Sequence, residues 1–399
     1  MTEVAEAEAL ILARMPSWPS IRTATGASRG RVLREVIVAE RDQPPFDRVT
    51  MDGIAISCAD WSGGLRRFES IGTQAAGAPA STLTGPGQCV EIMTGAVCPA
   101  GADTIIPVER LRREPGSTII VDETPIDRGQ CIHPRGSDRR QGDRLLEAGI
   151  RIGATEIAVI ASAGYADVAV AALPRVAMIS TGDELVGPRE PLAPYQIRST
   201  NDFSIEASLA LAGLAEVTCA RLRDDETALT RAVAALHDDH DALIVSGGVS
   251  MGQFDFVPAV LERLGAELVF HRVEQRPGRP LLFAISRDAK PIFALPGNPV
   301  SALVCLTRYV IPALRHAAGL QADPMERAVL TDSVTRSGRL TYFLPVKLGW
   351  DEQGTETAEP RATNTSGDFV SLAGTDGFVE LPKGRKHDPK GTVARVFRW

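Results

Sequence analysis

The chain of 399 residues places carboxylates, hydroxyls and glycines in four short loops, each directly after an apolar run. "STGDEL" (180–185) follows "RVAMI", "RDDE" (223–226) follows "EVTCARL", "SGGVSMGQFD" (246–255) follows "ALIV", and "LPGNPVSA" (295–302) follows "PIFA". If the runs are parallel strands, these loops meet at the carboxyl edge of the sheet, where free N–H groups and positive helix ends favour anions. "SGGVSMG" suits close backbone approach to a phosphate or other oxyanion, with Ser246, Gly247, Gly248 and Ser250 as contacts. The same residues would also make an ordinary tight turn from strand to helix. No Lys follows as in a Walker A loop, and GxGxxG spacing is absent. In the last loop Pro299 after Asn298 offers a rigid helix start, which brings in Pro296, Gly297, Asn298 and Ser301 as further contacts.

The acids of these loops are Glu184, Asp224 and Asp255. Each alone could be a helix N-cap. Three in one crevice beside an anion loop suggest Mg²⁺, held jointly by carboxylates and substrate phosphates. In "HRVEQRPGRPLLF", Arg276 and Arg279 flank a Pro-Gly turn, so both can lean over one site as a clamp for phosphate or a tetrahedral oxyanion, or stand on the surface of a hairpin. A fourth acid, Asp52 in "RVTMDGIAI", interrupts the start of a strand and must face water, cap a turn or face a cation.

The elements that would position these residues follow from periodicity. Residues 3–15 are helical until Pro16 and Pro19. From 43 to 141, short β-branched runs broken by Gly and Pro read as an all-β insert. Helical spacing returns in 142–172, so the insert interrupts a mixed domain of 1–42 plus 142–172. Over 173–318 apolar strands alternate with amphipathic helices, such as the one with Leu229, Val233 and Leu236 on one face, which argues for a doubly wound α/β domain with a parallel sheet. Residues 319–399 return to β texture, a small barrel or sandwich. The expected fold class is therefore α/β and β multidomain.

Composition narrows the function. A net charge of −7 argues against a nucleic-acid partner, and no apolar run is long enough to span a bilayer. The N-terminus is acidic rather than basic, so no signal peptide is read and the cytoplasm is expected. Six scattered cysteines without a CxxC pair read as reduced thiols. His237 and His240 in "HDDHD" have metal-compatible spacing but close an amphipathic helix, so a solvated helix end is expected. All five lysines lie at or after Lys290, so any earlier anion clamp must use arginine, although an arginine-favouring genome produces the same bias.

Together "PPFDRVTMDGIAI", "VEIMTGAVCPAGADTIIPVE", "PRGSD", "ISTGDEL", "VSGGVSMGQFD" and "LPGNPVSA" resemble the molybdopterin molybdenumtransferases, the family of MoeA and the gephyrin E domain. The resemblance implies a homodimer of four-domain subunits with a MogA-like α/β domain. It implies insertion of molybdate into adenylylated molybdopterin with Mg²⁺-dependent release of AMP, and the enzyme that adenylylates molybdopterin as a partner. Under it, Asp52 and Asp138 match functional acids of "MDG" and "RGxD", and Glu184, Asp224 and Asp255 those of the α/β domain. Asp52 would then reach the partner subunit's crevice, with Thr94 and Ser250 as hydroxyl ligands. The chain departs from the family in "RPGRP" for "KPGKP", in Arg48-Val49 for Asn-Ser, and in Ile54 for an aromatic. A non-catalytic cofactor carrier or scaffold is the alternative, disfavoured by the retained acids. A nicotinamide-dependent oxidoreductase fails for want of GxGxxG.

Overall fold

The computed structural model describes residues 1–115, 117–121, 123–223, 225–248 and 257–399. They form two compact bodies, one of 1–34, 148–153 and 167–399, the other of 35–147 and 154–166.

In the larger body the sheet follows from chain chemistry. Val176 and Met178 point to one face while Ala177 and Ile179 point to the other, and each face has its own buried apolar cluster. Helix Asn201–Ala212 covers the first face with Ile205 and Leu209; Glu226–Asp239 covers the second with Leu229 and Val233. Strands Glu216–Leu222, Arg175–Thr181, Ala242–Ser246 and Pro291–Leu295 lie side by side and parallel, in that order. The doubly wound domain is thus present. Beyond them Leu282–Ile285 runs antiparallel to both its neighbours, Pro291–Leu295 and Glu267–His271, rather than parallel. Parallel neighbours need a crossover of about a dozen residues or more. The turn at 286–290 is too short for one, and the link from His271 to Leu282 has no helix.

His237 and His240 are buried rather than solvated. His237 continues the Leu229 and Val233 stripe at four-residue steps, and Lys290 Nζ donates to the His237 carbonyl at 2.6 Å, satisfying the helix end.

The C-terminal strands choose between barrel and sandwich. Thr341–Trp350 pairs with both Glu356–Pro360 and Gly377–Leu381, and the circuit through Arg327–Leu330 and Val393–Arg398 closes it into a five-stranded barrel. Arg308, 1% exposed, joins helical segment Leu306–Val310 to the N-terminal helix through Glu8 (2.8 Å) and to the barrel through Glu380 (3.1 Å).

The smaller body holds a six-stranded curled sheet around Ile54, Ile56, Phe68 and Ile106. Gly53 sits where a Cβ would lie 1.9 Å from the Ile106 carbonyl oxygen, so only glycine lets these strands approach. The expected helical spacing of 142–172 holds for Ala154–Ser162 alone. Arg144–Leu146 and Asp167–Ala171 are strands, the latter paired with Ser20–Ala24 within the larger body.

Candidate functional site

Three parallel strands end level, with Ser180 opposite Ser246 and Ser246 opposite Leu295. The loops leaving them line one cavity of about 640 Å³ with Glu184, Ser246, Gly247, Gly248, Pro296, Gly297 and Asn298 in its wall. Asn201 ties the loops together. Its Nδ2 donates to Ser246 Oγ at 2.7 Å and to the Gly297 carbonyl at 2.8 Å, and Ser246 Oγ donates to the Pro296 carbonyl at 3.3 Å. Gly247 has φ +100°, and a Cβ there would stand 2.6 Å from the Thr181 carbonyl oxygen. Glycine is therefore required by conformation and by space. Asn201 Oδ1 and the hydroxyls of Ser180 and Thr181 are buried in the same wall without a hydrogen-bond partner among the described residues. A buried polar atom left so is costly unless a ligand or water completes it.

These three residues were missed in the sequence. Asn201 ends a loop and opens a helix, and Ser180 and Thr181 open the "STGDEL" loop, which was read for its acid alone. Their position at the carboxyl edge was the available signal.

Glu184 is exposed, and its carboxylate folds back over Gly182, where an added Cβ would lie 2.6 Å from Oε2. Among the described residues no group of three His, Cys, Asp or Glu could hold a metal. Mg²⁺, however, keeps several waters and is held by one or two carboxylates together with substrate phosphates. Glu184 beside a cavity large enough for a phosphorylated small molecule fits that mode. Asp224, Ser250 and Asp255 lie outside the described residues.

A second hollow of about 340 Å³ shares Pro280, Pro296 and Asn298 with the first. Arg276, Arg279 and Ser301 line it, as do Tyr342 and residues 363–366 of the C-terminal region. Asn298 Nδ2 donates to Ser366 Oγ at 2.9 Å, fastening that wall to the glycine loop. The sequence pattern of the C-terminal region gave no sign of this wall.

In the smaller body Asp52 is exposed and takes two hydrogen bonds on Oδ1, from Thr94 N at 2.7 Å and Thr94 Oγ1 at 2.8 Å. The backbone donor first and the hydroxyl second hold its carboxyl below the usual carboxylate range. Thr94, expected as a hydroxyl ligand, thus spends its hydroxyl on Asp52. Asp138 lies 2.9 Å from His133 Nε2, and Arg48 Nη2 lies 3.2 Å from His133 Nδ1. Since arginine only donates, Nδ1 accepts and Nε2–H faces Asp138.

Comparisons with known proteins cover the whole length of the chain. Residues 2–164 match the model of the MoeA N-terminal region (domains I and II), 177–316 that of a probable molybdopterin binding domain, and 327–399 that of the MoeA C-terminal region (domain IV). A molybdopterin molybdenumtransferase of Synechocystis is 38% identical over the whole of both chains. One of Bacillus subtilis is 34% identical over 92% of this chain and 87% of its own. The crystal structure of the molybdopterin biosynthesis MoeA protein of Pyrococcus horikoshii superposes with a TM-score of 0.86 at 30% identity, over 100% of this chain and 99% of that one. With its three regions matched in order and relatives aligned end to end, the chain belongs to the MoeA family of molybdopterin molybdenumtransferases, transferases of molybdenum cofactor biosynthesis.

Proposed function

We propose that this chain inserts molybdate into adenylylated molybdopterin and releases AMP in a Mg²⁺-dependent step. The observation that carries the reading is the glycine cavity opening beside the arginine-lined hollow, with three walls in common. The substrate's phosphates suit the first and the tetrahedral dianion molybdate the second. Gly247 and Gly248 bring backbone to the anion, and Ser180, Thr181 and Asn201 supply polar atoms that no described residue satisfies. Arg276 and Arg279 supply fixed charge to the oxyanion. Glu184 would hold Mg²⁺, as would Asp224 and Asp255, which the sequence places in adjoining loops. When bound, that ion neutralises phosphate charge as the leaving group departs.

Four domains (1–42 plus 142–172, 43–141, 173–318, 319–399), a cytoplasmic homodimer, and Asp52 and Asp138 acting across the dimer complete the reading. The test is direct: purified protein with adenylylated molybdopterin, Mg²⁺ and molybdate should release AMP only when all are present. Glu184→Gln should suppress that release while the melting temperature stays put. AMP release indifferent to Mg²⁺ and to Glu184 would refute the metal role.

A further inference from the structure

Beneath the Arg276–Arg279 turn lies a buried polar assembly that the reaction itself does not call for. Gln275, fully buried, precedes Arg276 in a two-residue strand paired with Thr341 and Tyr342 of the barrel region. Its Oε1 accepts from the Tyr309 hydroxyl, and its Nε2 donates to the Pro277 carbonyl at 3.1 Å and meets Cys305 Sγ at 3.5 Å. Cys305 Sγ in turn donates to the Gly278 carbonyl at 3.6 Å. Burial pushes the titration of both the Tyr309 hydroxyl and the Cys305 thiol upward, so each stays a protonated donor.

The Pro277 carbonyl, which can only accept, fixes the direction of the amide, and the Tyr309 hydroxyl donates to the oxygen this leaves on the other side. Rotated by half a turn, Gln275 would set its oxygen against the Pro277 carbonyl, acceptor to acceptor. The turn has no slack over this support. Gly278 has φ +89°, and a Cβ on it would stand 2.5 Å from Cys305 Sγ and 2.6 Å from Gln275 Nε2. Ser301, Cys305 and Tyr309 recur every four residues along one helical run, and Ser301 lines the same hollow as the two arginines. The helix that begins at the glycine cavity therefore carries, in sequence, a wall residue, a thiol and a phenol toward the arginine turn.

We infer that Gln275 and Tyr309 are positioning residues for oxyanion recognition: the Tyr309-oriented amide of Gln275 holds the Arg276-Pro-Gly-Arg279 turn at the geometry its guanidinium groups need. The inference rests on the reading of Arg276 and Arg279 as the oxyanion's partners. Neither Gln275 nor Tyr309 touches the anion, and their effect passes through Arg276.

A double-mutant cycle on the full-length protein tests this, with molybdate and tungstate dissociation constants measured by equilibrium dialysis. Tyr309→Phe keeps the ring and removes the donor, and should weaken oxyanion binding by about 3- to 10-fold, the scale of one lost buried hydrogen bond. Gln275→Glu sets a second acceptor against the Pro277 carbonyl and should cost more; Gln275→Met is measured beside it as an uncharged replacement in case the charged variant does not fold. In an Arg276→Ala background the Tyr309→Phe effect should fall below about 2-fold, because the group it acts through is gone. A purely structural role would instead give the same ratio in both backgrounds, or a lower melting temperature with unchanged dissociation constants, and either result overturns the inference. Arg276→Ala alone leaving the constants unchanged would overturn the oxyanion reading beneath it, so the two failures are distinguishable.

Discussion

The cavity of the larger body and the acid loops of the smaller one treat polar groups in opposite ways. In the cavity, Ser180, Thr181 and Asn201 hold buried polar atoms with no partner among the described residues, around glycines that keep side chains out. In the acid loops, Asp52 already accepts two bonds from Thr94, and Asp138 faces His133, which is itself faced by Arg48. The first arrangement lines a concave cavity with polar atoms that no described residue satisfies, which is what a receptor for an anion requires. The second holds Asp52 charged and orients both carboxylates at an exposed surface. Damage to the cavity should therefore abolish recognition, whereas damage to the acid loops should alter how a charge is presented.

The largest expected effect follows from Gly247→Ala. The added Cβ collides with the Thr181 carbonyl and forces a residue with a side chain into φ +100°. Strain of this kind costs about 1–3 kcal/mol. Displaced backbone donors should lower AMP release by about 100-fold or more, on the scale of losing an oxyanion-stabilising group. Near-normal turnover would show that the glycine loop is only a tight turn. That outcome would erase the contrast between the two regions.

Arg276→Ala and Arg279→Ala come next. Each removes a charge-assisted partner of a desolvated anion, about 1.5–3 kcal/mol, so molybdate affinity should fall by roughly 10- to 150-fold. Lysine at either position should be milder, keeping charge and losing the planar fork. Binding curves unmoved by alanine at both positions would leave recognition to the glycine cavity and metal alone. Arg279 also approaches Met1 Sδ at 3.2 Å, so its loss should be the smaller of the two.

How much of this was legible differs between strands and site. Residues 176–179, 242–245 and 291–295 are continuous apolar runs, and their loops announced the anion cavity because glycine, hydroxyl and acid types cluster at strand ends. The antiparallel edge was readable only by counting connection lengths. "DVAVA" at 167–171 was assigned to a helical stretch because its partner, Ser20–Ala24, lies far back in the chain and leaves no local mark. His237 reads as solvated by residue type, but its phase on the helix, in step with Leu229 and Val233, buries it. Tertiary placement also hid Asn201, whose amide bridges loops from two different strands.

A third, intermediate effect tests whether the two regions cooperate across a dimer. Asp52→Ala and Glu184→Gln proteins, each inactive, should regain activity when mixed under conditions that exchange subunits. Random pairing gives about half heterodimers with one intact site in two, so roughly a quarter of wild-type activity should return. Persistent inactivity after exchange is verified would place both acids in the same subunit's site.

The smallest effect lies within the acid loops and addresses what Thr94 contributes. Its hydroxyl and its backbone N–H both stabilise charged Asp52, the backbone bond being the larger cause. Thr94→Val removes only the hydroxyl. The Asp52 pKa, followed by carbon-detected NMR of its carboxyl, should rise part of the way toward the ordinary aspartate value of about 3.9. The sign of the linked stability is fixed by the depressed pKa. Asp52 favours the folded state above its unfolded pKa, and that contribution disappears as pH falls through the lower folded value. Thr94→Val should thus move an acid-limb transition below about pH 4 and leave neutral-pH charge untouched. Any loss of turnover at pH 7 must then come from the carboxylate's direction, since it is ionised in both proteins. An Asp52 pKa identical in the two would mean that the backbone bond alone holds the charge, and the hydroxyl would be free to serve as the ligand that the sequence pattern suggested.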